Sequence, residues 1–121
     1  MTVTLTNPLT APHILATTRS ADQVEISLRV PAHLQWFEGH FPQAALLPGV
    51  VQTTWVVEFA QQHFQLPAQF RSMSNMKFMR FILPGAAVIL RLRYAADKRE
   101  LSFEYCQGTA ICASGRMGFA E

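Results

Sequence analysis

The sequence predicts an α+β fold in which an antiparallel sheet wraps one long helix, and three observations carry that prediction. Apolar and polar residues alternate with a period of two over 23–30, 88–94, 101–105 and 111–119, as strands with one wet face do. One stretch, 49–64, breaks the rhythm and places Val51, Trp55, Phe59 and Phe64 at helical spacing. That stretch is apolar around most of its girth, so a flat surface could not cover it and a sheet has to curl round it.

Taken in order, His13 to Arg19 adds a candidate first strand, and Gln23 to Val30 sets Val24, Ile26, Leu28 and Val30 against Glu25, Ser27 and Arg29. The helix starts just after Pro48 and stops before Pro67, where prolines are tolerated. Its own propensity is poor, because Val50, Val51, Thr53, Thr54, Val56 and Val57 are β-branched. Burial must therefore hold it. Residues 71–81 carry a weaker strand pattern. After Pro84-Gly85, Val88, Leu90, Leu92 and Tyr94 alternate with Ile89, Arg91 and Arg93, and Asp97-Lys98-Arg99 turns the chain into Leu101, Phe103 and Tyr105. Gln107-Gly108 supplies a second turn, beyond which Ile111, Ala113, Gly115, Met117 and Phe119 alternate with Cys112, Ser114 and Arg116. The expectation is six strands and one helix in a single domain over residues 1–121.

A chain of 121 residues buries roughly two thirds of its unfolded surface, so it needs no staple. With 50% hydrophobic and 15% charged residues it is not a disordered arm, and a scattered net charge of +2 gives no case for nucleic acid. Cys106 and Cys112 lack metal-ligand spacing and read as reduced, buried thiols, with no metal site. No signal-peptide pattern precedes Arg19, and the apolar run from Phe81 to Leu90 is cut by Pro84-Gly85, too short for a membrane span. These features point to a cytoplasmic protein without a membrane partner.

The informative stretch is Gly39-His40-Phe41-Pro42, followed by Leu47-Pro48-Gly49-Val50 at the head of the helix. His40 can take a proton near neutral pH, and its loop is pinned by Gly39 and Pro42. Gly49 offers one of the first amides of the helix, which have no partner inside it, where the helix adds partial positive charge. A base and an oxyanion site are thus within a short stretch of chain. Taken alone, a loop histidine is more often structural and Pro-Gly before a helix is usually a turn, so the surrounding residues decide.

The string FEGHFPQAALLPGVVQTTW resembles the G-H-F-P…P-G-V motif of the FabA/FabZ-type 3-hydroxyacyl-[acyl carrier protein] dehydratases, which have the hotdog fold. Lys77-Phe78 through Pro84-Gly85 is similar to that family's K-F…P-G segment, and Gly108 through Phe119 to its closing strand, so the likeness covers residues 23–120. The Pro-Gly-Val-Val-Gln-x-x-Trp variant looks most like the small thioester dehydratases of aryl-polyene biosynthesis, the ApeI-like branch. The resemblance implies that His40 takes the α-proton of a 3-hydroxyacyl thioester, that the Gly49 amide polarises the thioester carbonyl, and that a trans-2-enoyl thioester results. It implies an acyl carrier protein with a phosphopantetheine-linked acyl chain as partner, no cofactor, and a homodimer or a heterodimer with another dehydratase subunit. Phe41, Pro48 and Trp55 would then lie along the acyl chain, with Trp36 and Phe37 as further lining or core.

One position departs from the pattern. The family's acidic residue lies fourteen residues after the histidine, and here that position is Thr54. A hydroxyl orients a leaving group but donates a proton far less readily than a carboxylic acid. Glu58, one helical turn on, is the nearby helix carboxylate, with a solvated or salt-bridged glutamate as its plainer reading. Thr54 motivates a second reading, a non-catalytic subunit that binds acyl chains or supports a catalytic partner. Thioester hydrolysis on the same fold is a third. His13, His33 and His63 read as structural, with His63 favoured by the negative helix end. Arg71, Lys77, Arg80, Arg91, Arg93, Lys98 and Arg99 read as solvated strand faces or as a basic rim for an acidic carrier.

Overall fold

The computed structural model describes residues 11–31, 47 and 49–120. Its elements are β1 (His13–Arg19), β2 (Gln23–Arg29), α1 (Gly49–His63), β3 (Gln69–Phe78), β4 (Ala87–Ala95), β5 (Glu100–Gln107) and β6 (Ala110–Ala120). The strands form one antiparallel sheet in the order β1-β2-β4-β5-β6-β3. The class and all the expected strands agree with the sequence reading, and the helix stops one residue short of Phe64, whose amide bonds Ala60 O at 2.8 Å.

The core lies between the helix and the inner sheet face. Val51, Trp55, Val56, Phe59 and Ala60 of α1 meet Ile26 and Leu28 of β2, Leu90 and Leu92 of β4, and Leu101, Phe103 and Tyr105 of β5, all buried. Each large aliphatic or aromatic side chain so enclosed contributes about 1.5–3 kcal/mol relative to exposure, which is how burial overrides the β-branched helix propensity. Phe103 and Tyr105 meet edge to face with centroids 6.1 Å apart. At the far end of α1, Arg19 Nη2 donates to His63 O at 2.6 Å and satisfies one of the last helical carbonyls.

Two expected boundaries shift. The weak pattern at 71–81 is a strand at 69–78, because β3 is a sheet edge exposed along nearly its whole length and shows no clean alternation. Its pairing with β6 slips between Ser74 and Lys77, where Asn75 adopts φ 53° and Met76 packs against the core. In β6 the inward set loses Ile111, which is 40% exposed, while Cys112 is fully buried. Tyr105 pairs with Ala113 and Cys106 with Ile111, so Cys112 is the extra residue of a bulge and the faces change over there. Both cysteines are free and buried, as expected.

Candidate active site

The head of α1 is built by one local and two long-range hydrogen bonds. Leu47 N–H donates to Ile82 O at 2.8 Å, and Gln52 Nε2 donates to Leu47 O at 3.1 Å. Tyr105 Oη, fully buried on β5, donates to Gln52 O at 2.6 Å. Burial pushes the Tyr105 phenol well above its ordinary pKa, so it stays a donor. This frame sets Gly49 in the first turn of the helix, where its amide bonds no other described residue. A β-carbon added at Gly49 would lie 3.2 Å from Phe78 Cε1 and Cζ, so the tip of that ring covers one flank of the glycine.

From Gly49 an exposed strip runs down the helix through Val50, 69% exposed, Thr54 and the half-buried Glu58, each about 6 Å beyond the last. Thr54 Oγ1 donates its proton to Val50 O at 2.7 Å, and Thr53 Oγ1 donates to the same carbonyl at 3.0 Å. With its one proton committed to the backbone, Thr54 presents only lone pairs outward: it can accept from a hydroxyl but has no proton left to give. Glu58 makes no ion pair or hydrogen bond among the described residues, and desolvation holds its carboxyl above the ordinary 4.5. An unpaired carboxyl with a raised pKa is chemically suited to give up a proton. Beyond Glu58, Val57, Phe64, Leu66, Phe70 and Phe119, together with Gln61, Gln62 and Gln65, help to line an open groove of mixed polarity and about 820 Å³.

The structure thus sets Thr54 and Glu58 on one face of the helix, with Gly49 in its first turn. Trp55 goes elsewhere. It is 1% exposed and packs in the core, because its place in the helix turns it toward the sheet rather than along the strip. His40, Phe41 and Pro48 lie outside the described residues, as do His33, Trp36 and Phe37. His63 corrects an expectation: its pKa is lowered, first by burial and then by the Arg19 guanidinium, which outweigh the pull of the helix end. Arg91 pairs with Glu25 at 3.0 Å and lies 3.8 Å from Glu104, and Arg93 lies 3.5 Å from Asp22, so these two cations are engaged on the sheet itself. Gln52 and Tyr105 were missed as builders of the site. The signal was present, since Gln52 shares a face with Trp55, Val56 and Phe59 and is a polar residue where an apolar one is expected.

The model of the ApeI-like dehydratase family matches residues 16–116. The chain belongs to that family. Among solved structures, it is similar to the dehydratase heterocomplex ApeI:P from Xenorhabdus doucetiae, with a TM-score of 0.85 and 30% identity over 91% of this chain and 98% of that one. A protein from Erwinia carotovora subsp. atroseptica matches with a TM-score of 0.78 and 35% identity over 90% and 95% of the two chains. The 3-hydroxyacyl-[acyl-carrier-protein] dehydratase FabZ of Tolumonas auensis is 29% identical over 68% of this chain and 63% of its own length. That of Streptococcus sanguinis is 25% identical over 84% and 79%. At 15% identity and a TM-score of 0.61, zebrafish thioesterase superfamily member 2 shares the fold alone. The fold is the hotdog fold.

Proposed function

We propose that the chain dehydrates 3-hydroxyacyl thioesters carried on an acyl carrier protein, giving trans-2-enoyl thioesters for fatty-acid or aryl-polyene type synthesis. The observation that carries this reading is a helix-start amide with no partner among the described residues, at the head of an exposed helix strip that bears a hydroxyl acceptor and a carboxyl of raised pKa. Gly49 N–H takes the thioester carbonyl oxygen and His40 takes the α-proton, so that the C–H electrons move into the carbonyl. The enolate collapses to form the α,β double bond as the β C–O bond breaks. Glu58 gives its proton to the departing hydroxyl, which leaves as water, while Thr54 Oγ1 accepts from that hydroxyl beforehand and aims it. Proton return from His40 to Glu58 through solvent restores both groups. The acyl tail would follow the apolar side of the groove beyond Glu58, along Phe64, Leu66 and Phe119.

A second subunit completes this reading. Edge strand β3 and the residues after it expose Phe70, Met73, Phe78, Met79, Phe81 and Leu83 beside the strip, an apolar border that a partner would cover. The partner is another copy or, as the ApeI:P likeness supports, a different dehydratase subunit.

One observation favours the alternative of a supporting subunit: Thr54 stands at the family's acid position with its proton already donated. The two readings separate in turnover of a 3-hydroxyacyl-carrier thioester, followed by absorbance of the conjugated product. Under the catalytic reading, Glu58→Gln and His40→Ala each lower kcat by about 10²–10⁴-fold. Under the supporting reading, the isolated protein is slow, Glu58→Gln changes little, and Thr54→Glu raises the rate. Full turnover by Glu58→Gln would exclude Glu58 as donor.

A further inference from the structure

We infer that Gln52 is a positioning residue that aims the Gly49 amide, a role that rests on the oxyanion reading of Gly49 above. Gln52 is 4% exposed, on the core face of α1 among Val51, Trp55 and Val56, where an apolar side chain of the same length would suffice for packing. Its Nε2 holds Leu47 O at 3.1 Å, while its Oε1 is buried with no hydrogen-bond partner among the described residues. A buried amide with one end unpartnered is a poor stabilising device, because the unpaired oxygen has lost its water without replacement. Its one bond, however, falls on a decisive atom. Leu47 is clamped on both sides, by Ile82 O at its amide and by Gln52 at its carbonyl. A single proline, whose ring fixes φ, separates Leu47 from Gly49. The plane of the Leu47–Pro48 peptide and one remaining torsion therefore set where the Gly49 N–H points. Tyr105 Oη on Gln52 O ties this lever to the sheet, so the aim is referred to β5 rather than to the helix end alone.

The test is Gln52→Met, which keeps the length of the side chain and removes the donor, read in protein labelled with ¹⁵N-glycine. The chain has six glycines, and Gly49→Ala identifies the Gly49 amide by its loss. The expected result is a fold retained by circular dichroism, a displaced Gly49 amide resonance, and kcat about tenfold lower or worse at little-changed KM. A folded Gln52→Met variant whose Gly49 resonance has not moved overturns the inference, whatever its activity. A displaced resonance in a protein whose parent shows no dehydration upholds the positioning role and removes the catalytic reading instead. Should the methionine variant fail to fold, Gln52→Glu carries the measurement. Its carboxylate cannot donate to Leu47 O but its protonated form can, so the Gly49 resonance is displaced at alkaline pH, where even a buried carboxyl ionises, and returns toward the parent position on acidification. A Gly49 resonance in the glutamate variant that stays at the parent position throughout is equally fatal.

Discussion

Glu58 shows how a single carboxyl links the site to stability. Because desolvation raises its pKa in the folded chain above the ordinary 4.5, the native state binds more protons than the unfolded one between those two values. Stability from this group is therefore lost as pH rises through that window, the reverse of a salt-bridged acid. Glu58→Gln should match the parent in urea midpoint near about pH 4 and exceed it at about pH 7; an equal difference at both would show that the carboxyl is not desolvated. His63 works in the opposite sense. Its lowered pKa leaves the unfolded state binding more protons just below 6.5, so stability rises with pH there, and His63→Gln should resist mild acid better than the parent. Thermal midpoints across that range would show it. At this scale the sequence made Gly49 legible as a first-turn amide, and Glu58 as a neighbour of Thr54, because helical spacing puts positions 54 and 58 on one side. It could not show that the Thr54 proton goes to Val50 O, since a hydroxyl rotor answers to local geometry and not to spacing.

Strands β2, β4 and β5 were legible because one face of each is buried and the other wet. The edges were not. An edge strand exposed on both sides has no reason to alternate, and a bulge shifts every later residue by one face, which is why β3 and the start of β6 were the misread places. Where β3 bulges, Met76 lies over Gly115. A β-carbon there would overlap Met76 Sδ and come within 2.8 Å of Phe103 Cε2. Gly115→Ala should therefore cost about 1–3 kcal/mol in denaturant unfolding, as overpacking does. The loss should shrink when combined with Met76→Ala. If Gly115→Ala alone proves neutral, the β3 bulge is not packed onto β6 in this way.

For the molecule as a whole, the exposed apolar edge makes association the expected state in solution. Replacing Met73, half-exposed on β3, by lysine should shift sedimentation toward monomer and lower activity together, with circular dichroism unchanged. A Met73→Lys protein that sediments with the parent would show that this edge is not the contact. The strand order has a consequence for how the chain comes into being. Among the described strands β3 bonds only to β6, which follows it after β4 and β5, so three strands of sequence separate the helix from β6. On a ribosome working from the N-terminus, the helix, with its β-branched residues, and β3, with its exposed Phe70, Met73 and Phe78, both emerge before their partner exists. They must stay unpaired until residues 110–120 clear the exit tunnel. Synthesis that stalls anywhere in that interval leaves an unpaired strand and an uncovered helix for chaperones to hold, so the sheet closes on the helix only when β6 arrives.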